Sequence, residues 1–146
     1  MIRVLFVCTG NTCRSPMAEA ILKNKKIDHM EIKSAGIYAV DGSEASYQVK
    51  EVLSEKGILF EHSSSLLNKE LVDWATYIFT MTNTHKSRIA NDFPRAIEKT
   101  FTIKEFADNN KYGELMDPFG GSVSQYRETY AELELLIEKI VDKLEK

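Results

Sequence analysis

Residues 3–16 read RVLFVCTGNTCRSP, and this stretch decides the fold because it joins a strand to a helix. Its first part, residues 3–7, is short, β-branched and almost wholly apolar, which is typical of a strand buried on both faces of a parallel sheet. Pro16 suits the first position of a helix, and the good helix formers of residues 17–23 follow it. The stretch therefore predicts a strand, a loop and a helix in that order.

The rest of the chain continues the alternation of strands and helices. We predict a loop over residues 107–121, where the periodicity is weak. The further predicted strands cover residues 31–35, 77–81 and 99–103. The predicted helices cover residues 45–56, 69–74 (capped by Asn68), 84–90 and an amphipathic segment over 123–144. Strands separated by helices imply right-handed crossovers between parallel strands. We therefore expect one domain over residues 1–146, an α/β fold with three α/β/α layers and a four-stranded parallel sheet.

Length and composition are those of an ordinary globular chain, and they exclude several function classes. The 146 residues are 43% hydrophobic and 28% charged, which is enough for one domain with a real core. A net charge of −3 provides no basic field for a nucleic acid. The longest apolar runs are too short for a membrane span or a signal peptide, and two cysteines do not make a secreted disulfide scaffold. We expect a cytoplasmic protein with neither nucleic-acid nor membrane partners.

The loop after the first strand has the composition of an anion-binding site. Gly10 allows positive φ and a close backbone approach, and Asn11 tolerates the left-handed region. Such a loop can direct its N–H groups at an anion beside the positive end of the next helix, and Arg14 adds a fork that matches two phosphate oxygens. Cys8 lies at the floor of this positive bowl, where we expect a thiolate near neutral pH, and Ser15 can offer its hydroxyl to the sulfur.

The stretch VCTGNTCRSPMAE, residues 7–19, resembles the signature of the low-molecular-weight protein tyrosine phosphatase family. That signature is a cysteine, five residues, an arginine and a serine near the start of a small α/β domain, and the likeness extends over essentially the whole chain. The resemblance implies that Cys8 is the nucleophile and that Arg14 clamps the phosphate. It also implies a phosphate-binding loop and a network that supports it; the loop comprises Thr9, Gly10, Asn11, Thr12, Cys13, Arg14 and Ser15, and the network comprises Asn11, Ser15, Ser34 and His62. For His62, a solvated position beside three serines is the alternative.

The Asp117-Pro118 pair is by itself a turn signal. The family carries its general acid on such a pair in a loop before the last helix, so the resemblance implies this role for Asp117. In the implied reaction Cys8 attacks phosphorus while Asp117 protonates the leaving group, and Asp117 then activates the water that hydrolyses the phosphocysteine. Arg14 and the loop N–H groups neutralise the phosphoryl oxygens, so we expect neither a metal nor another cofactor. The three histidines show no spacing typical of metal ligands.

The predicted pocket wall favours phosphoarginine over phosphotyrosine. Tyrosine-specific members usually have a bulky aliphatic residue where this chain has Thr12, and an aromatic pair after the Asp-Pro, whereas Phe119 is here followed by two glycines. This pattern is similar to that of the bacterial protein-arginine phosphatases of the same family. The hydroxyl of Thr12 can accept a hydrogen bond from a guanidinium group, but Phe119 can stack on a guanidinium or on a phenol ring. Phosphorylated proteins are the expected substrates of a monomer or weak dimer, and phosphotyrosine remains the alternative.

The sequence argues against two other function classes and leaves one redox property open. Arsenate reductases share the fold and the first loop, but their redox relay needs cysteines after Cys13, and the sequence has none. A non-catalytic phosphate-binding module has no use for both Cys8 and Asp117. The resemblance also supports a reversible disulfide between Cys8 and Cys13 that protects the nucleophile, whereas a buried thiol at Cys13 is the alternative.

Overall fold

A computed structural model describes residues 1–145 and contains one parallel sheet of four strands. The strands are β1 (Ile2–Cys8), β2 (Met30–Gly36), β3 (Tyr77–Thr80) and β4 (Thr100–Thr102), in the order β2-β1-β3-β4. The first strand is central because it pairs with β2 on one side and with β3 on the other. Its residues 4–8 are all buried, which confirms the predicted α/β fold with a buried strand at its centre.

The helices lie on both faces of this sheet. They are α1 (Arg14–Asn24), α2 (Tyr47–Glu55), α3 (Lys69–Trp74), α4 (Asn83–Asp92), α5 (Ile103–Asp108) and α6 (Val123–Leu144), with a 3-10 turn over Pro94–Lys99. Within residues 1–145, none of these helices combines the length and the apolarity needed to cross a bilayer.

Two apolar clusters form the core, one on each face of the sheet. On one face Val4 and Phe6 of β1 pack with α1, α2 and α6, and on the other face Leu5 and Val7 pack with α3 and α4. Successive side chains of a strand point to opposite faces, so one continuous apolar run supplies both clusters. This arrangement confirms the three predicted layers.

Several predicted boundaries are wrong and helix α5 was not predicted, an omission that local hydrogen bonds explain. Helix α1 begins at Arg14, two residues before Pro16, so that Arg14 and Ser15 lie in its first turn. Residues 107–108 belong to α5, which also ends the fourth strand earlier than predicted. Thr102 accepts a hydrogen bond from the N–H of Glu105, and the Glu105 carboxylate accepts one from the N–H of Thr102. This capping box is the signal that the sequence analysis missed.

Candidate active site

A cavity of about 180 Å³ lies at the carboxyl end of β1. The loop after β1 forms one wall, and the segment that follows Leu115 forms the other; the lining residues are Cys8, Thr9, Gly10, Thr12, Cys13, Arg14, Asp117 and Phe119. The structure thus brings together the two predicted motifs, which lie far apart in the sequence. Ligand sites are expected at this edge of an open parallel sheet.

Two residues determine the conformation of the loop after β1, one through a positive φ and the other through a close backbone contact. Asn11 has φ of 55°, in the left-handed region that its residue type tolerates, whereas Gly10 does not use the positive φ that a glycine allows. The required glycine is Gly36, at the end of β2. A Cβ there would lie 2.5 Å from the carbonyl oxygen of Thr9 and 2.8 Å from the Asn11 nitrogen. The loop therefore packs directly on the backbone of the neighbouring strand.

Asn11 holds the loop through three hydrogen bonds of its side chain. Its Oδ1 accepts from the N–H of Ser65 (2.9 Å), which settles the orientation of the amide because a backbone N–H can only donate. Its Nδ2 donates to Ser15 Oγ (2.8 Å) and to Ser34 Oγ (2.9 Å). The Asn11 side chain is completely buried, so these bonds form in an environment where an unpaired amide would be costly.

These bonds fix which way the hydroxyl of Ser15 points. Ser34 donates its hydrogen to a carboxylate oxygen of Glu19 and accepts from Asn11. Ser15 likewise accepts from Asn11, so its own hydrogen is left for Cys8 Sγ, 2.8 Å from Ser15 Oγ. Ser15 can therefore donate to Cys8 Sγ, which is the direction that a sulfur without a hydrogen would require.

His62 belongs to this network, and the alternative of a solvated histidine was wrong. Only 4% of its side chain is exposed. Its Nε2 lies 2.7 Å from the carbonyl oxygen of Asn11 and must carry the hydrogen, because that oxygen can only accept. Its Nδ1 lies 3.9 Å from a carboxylate oxygen of Glu19, which also pairs with Lys23. Sequence reasoning missed Glu19, since its charge suggests solvent exposure and only the tertiary structure buries it.

Arg14 is buried, and its guanidinium group faces the cavity. One terminal nitrogen donates to the carbonyl oxygen of Leu115 (3.1 Å), and the other lies 3.5 Å from Asp117 Oδ2. Among the side chains of residues 1–145, Arg14 Nε is the one buried polar atom without a hydrogen-bond partner. A buried donor of this kind fits an anionic oxygen bound in the cavity.

Asp117 and Phe119 lie on the opposite wall and are much more exposed. About half of the Asp117 side chain is exposed, and Phe119 is 76% exposed. Asp117 Oδ1 accepts from the N–H of Phe119 (3.0 Å), which is a local turn contact, while its Oδ2 faces Arg14. The carboxyl group is thus held near the mouth of the cavity, within reach of a group bound between it and Cys8.

Cys13 is a buried thiol whose partners differ from those of Cys8. Its sulfur lies 3.2 Å from the hydroxyl oxygen of Tyr126 and 3.7 Å from Thr12 Oγ1. Burial raises the pKa of Tyr126 to about 12, so this hydroxyl keeps its hydrogen at neutral pH. Both cysteines are free in this structure. A disulfide between them stays a prediction.

His85 was not singled out from the sequence, yet it touches the loop. Its Nε2 lies 2.9 Å from Thr9 Oγ1, and its Nδ1 lies 3.1 Å from Thr82 Oγ1. The pKa of His85 is lowered to about 4, mainly by burial and also by the nearby Arg14, while Asp117 acts in the opposite direction. The ring is therefore neutral at physiological pH. A histidine on α4, far along the chain, carried no sequence signal that could place it here.

A family model described as low molecular weight phosphotyrosine protein phosphatase matches residues 3–146. A protein from Geobacillus stearothermophilus named protein-arginine-phosphatase is 53% identical over 143 residues, which cover 98% of this chain and 96% of that protein. A Staphylococcus aureus protein named low molecular weight protein-tyrosine-phosphatase PtpB is 39% identical over 141 residues, which cover 97% of this chain and 98% of that protein.

Solved structures of arginine phosphatases are also similar to this chain. The YwlE arginine phosphatase from Geobacillus stearothermophilus superposes with a TM-score of 0.97 at 52% identity, and the match covers 99% of this chain and 94% of that one. A cysteine-to-serine mutant of a YwlE arginine phosphatase, described as having a phosphorylated active site serine, superposes with a TM-score of 0.93 at 40% identity. That match covers 99% of this chain and 97% of the mutant.

Proposed function

Because the chain belongs to the low molecular weight phosphotyrosine protein phosphatase family, we propose that it hydrolyses phosphorylated protein side chains through a phosphocysteine on Cys8. The observation that carries this proposal is the directed hydrogen bond from Ser15 to Cys8 Sγ, in a cavity that Asp117 shares. The phosphorylated serine of the similar mutant structure supports a phosphoenzyme, since a serine that replaces a cysteine there holds the phosphoryl group.

In the first step the sulfur of Cys8 attacks phosphorus, and the bond from phosphorus to the leaving atom breaks. Ser15 stabilises the thiolate before attack through the bond at 2.8 Å. Arg14 Nε and the terminal nitrogen near Asp117 donate to two phosphoryl oxygens, which satisfies the unpartnered buried donor. Asp117 gives its proton to the leaving atom, a contribution that is typically worth about 10²–10⁴-fold.

In the second step a water molecule attacks the phosphocysteine. Asp117, now a carboxylate, accepts a proton from this water, and the thiolate of Cys8 leaves with its electron pair. Ser15 again donates to the sulfur, so the same hydrogen bond stabilises the starting thiolate and the departing one. Inorganic phosphate and the restored enzyme are the products.

We favour phosphoarginine as the substrate group. Thr12 lines the cavity, where its hydroxyl can accept a hydrogen bond from a guanidinium group, and Asp117 can pair with the same group. The arginine phosphatases are also the more similar relatives, at 53% against 39% identity for the tyrosine phosphatase. Phosphotyrosine is the second candidate because Phe119, at the mouth, can stack on a phenol ring. We also propose that the protein acts in the cytoplasm, as a monomer or weak dimer.

The proposed chemistry is tested by Cys8→Ser. We expect turnover of p-nitrophenyl phosphate to fall by at least about 10³-fold, because a serine hydroxyl is a far weaker nucleophile without a base beside it. Binding of inorganic phosphate, measured by calorimetry, should persist because Arg14 is intact. A Cys8→Ser variant that works at the wild-type rate would end the proposal.

The proposed substrate is tested by competing phosphoarginine and phosphotyrosine peptides of matched sequence. We expect the wild type to prefer phosphoarginine, and Thr12→Ile to shift the ratio of kcat/KM towards phosphotyrosine by about 10-fold, the value of one hydrogen bond to a charged group. Thr12→Ser, which keeps the hydroxyl, is the matched control. If Thr12→Ile leaves the ratio unchanged, Thr12 does not determine the substrate.

A further inference from the structure

Thr9 is the one residue of the phosphate loop whose side chain is held by a histidine from outside the loop. It follows Cys8 directly, and it lines the wall of the cavity. On its other side lies a groove of about 360 Å³ between α4 and the segment after β2, where Thr9 Oγ1 meets Nε2 of His85 at 2.9 Å. The reaction proposed above uses neither Thr9 nor His85.

The contacts of Thr82 decide which ring nitrogen of His85 carries the hydrogen. Thr82 caps α4, and its Oγ1 accepts the backbone N–H of His85 at 3.2 Å. Within residues 1–145, Nδ1 of the same ring is the other polar atom in contact with this hydroxyl, at 3.1 Å, so it is the acceptor that these residues offer to the hydroxyl hydrogen. The ring hydrogen is then on Nε2, which donates it to Thr9 Oγ1.

This assignment leaves the hydroxyl hydrogen of Thr9 without an acceptor among residues 1–145. Its oxygen already accepts from His85, so the hydrogen is available to an acceptor in the cavity that Thr9 lines. His85 can hold this role at neutral pH because it is buried and Arg14 lies nearby, and both disfavour a charged ring. In the neutral ring Nδ1 can accept from Thr82 while Nε2 donates to Thr9, whereas a charged ring would still donate from Nε2 but could not accept from Thr82.

We propose that His85 is a positioning residue that makes the Thr9 hydroxyl a hydrogen donor to a phosphoryl oxygen bound in the cavity. The inference deepens the proposed function and rests on it for the identity of the ligand. The Thr9 hydroxyl would add a neutral donor to the charged donors of Arg14, and the hydrogen bond between His85 and Thr9 links the loop to the first turn of α4. The order of donation is Thr82 to His85, His85 to Thr9, and Thr9 to the ligand.

Four variants test the proposal by kcat/KM for p-nitrophenyl phosphate and by the inhibition constant of inorganic phosphate. Thr9→Val and His85→Leu should each lower kcat/KM and raise the inhibition constant of inorganic phosphate by about 10-fold, the value of one hydrogen bond to a charged group. His85→Gln, which keeps an N–H near the position of Nε2, should stay within about threefold. The double variant Thr9→Val with His85→Leu should be no worse than Thr9→Val alone, because both changes remove the same donor.

Thr84→Val, on the exposed first turn of α4, is the control and should match the wild type. Effects of Thr9→Val and His85→Leu that multiply in the double variant would overturn the proposal. A folded His85→Leu variant with wild-type constants would overturn it as well.

Nitrogen NMR of the His85 ring in the unmodified protein tests the assignment without any variant. We expect the hydrogen on Nε2, both in the free protein and with inorganic phosphate bound. A hydrogen on Nδ1 would overturn the proposal, since Thr9 would then donate to the ring instead of the ligand. If the wild type turns over no p-nitrophenyl phosphate, the proposed function fails, and the NMR result and the phosphate dissociation constants of the four variants still decide the role of His85.

Discussion

The two walls of the cavity are built in opposite ways. The wall that carries Cys8 is buried and cross-linked by side-chain hydrogen bonds through Asn11, and 4% of the Arg14 side chain is exposed. On the other wall, about half of the Asp117 side chain is exposed. The buried Leu115 anchors this wall, because its N–H donates to the carbonyl oxygen of Met81 and its carbonyl oxygen accepts from Arg14.

The difference in exposure matches the role that we propose for each wall. A nucleophile and the donors around a phosphoryl group need fixed positions, because preorganised hydrogen bonds need no rearrangement as charge develops. An acid at the mouth has to meet leaving groups of different shape and then water, and an exposed segment can do so without disturbing the core. We therefore expect changes on the Asp117 wall to affect rate alone, and changes on the Cys8 wall to affect rate and stability together.

Asp117→Ala should show the largest effect and should separate rate from stability. We expect kcat/KM, which reports the first step, to fall by about 10²–10⁴-fold for substrates with poor leaving groups, with a much smaller loss for p-nitrophenyl phosphate, which needs little protonation. The midpoint of thermal unfolding should stay near that of the wild type. Glu128→Ala, an exposed carboxylate beside the same segment, is the control and should change neither quantity. Equal losses of kcat/KM for good and poor leaving groups would exclude Asp117 as the acid.

His85, which contacts the Cys8 wall through Thr9, should make the stability of the protein depend on pH. The pKa of His85 is lowered to about 4 in the folded protein by burial, against an ordinary value of 6.5. The unfolded chain therefore binds the proton first, and stability that is complete above pH 6.5 is lost as the pH falls towards 4. From these values we expect His85 to account for about 2 kcal/mol of lost unfolding free energy between pH 7.5 and pH 5. His85→Gln should remove that component in urea unfolding at both pH values, and an unchanged pH dependence would contradict the assignment.

Gly36→Ala should damage the buried wall through packing alone. The added Cβ would meet backbone atoms of Thr9 and Asn11, which cannot move aside cheaply. We expect a loss of about 1–3 kcal/mol in unfolding free energy, together with a fall in kcat/KM as the loop shifts. Gly42→Ala is the matched control, since its φ of 88° is strained for alanine but the space around it is open. It should lose about 1 kcal/mol and keep its rate, and a Gly36→Ala variant with normal kinetics would show that the loop tolerates displacement.

Phe119→Ala should have the smallest effect and should again spare stability. The ring is largely exposed, so its removal should change the unfolding free energy by less than about 0.5 kcal/mol. A fall in kcat/KM of less than about 10-fold is expected, the value of one stacking contact with the substrate. Phe106→Ala is the contrast, because that ring packs on Tyr77, Phe79 and Phe101 and its loss should cost about 2–3 kcal/mol. Marked destabilisation by Phe119→Ala would contradict the comparison of the two walls.

The parts of the site that could be predicted are those encoded locally. The buried strand β1, the left-handed Asn11 and the place of Cys8 before the first helix all follow from neighbouring residues. Gly36 could not be predicted, because its importance arises from the register that pairs it with Cys8 across two parallel strands. The burial of Glu19 could not be predicted either, since nothing in the neighbouring residues shows that the fold buries it.

The account depends most directly on a covalent bond between Cys8 and phosphorus. An Asp117→Ala sample, in which the second step is slowed, should be mixed with p-nitrophenyl phosphate, quenched within the first turnover and digested for mass spectrometry. We predict one additional phosphoryl group on the peptide that holds Cys8, and its disappearance at the rate at which inorganic phosphate is released. A phosphoryl group on another residue, or p-nitrophenol release with no labelled peptide at any time, would contradict the account.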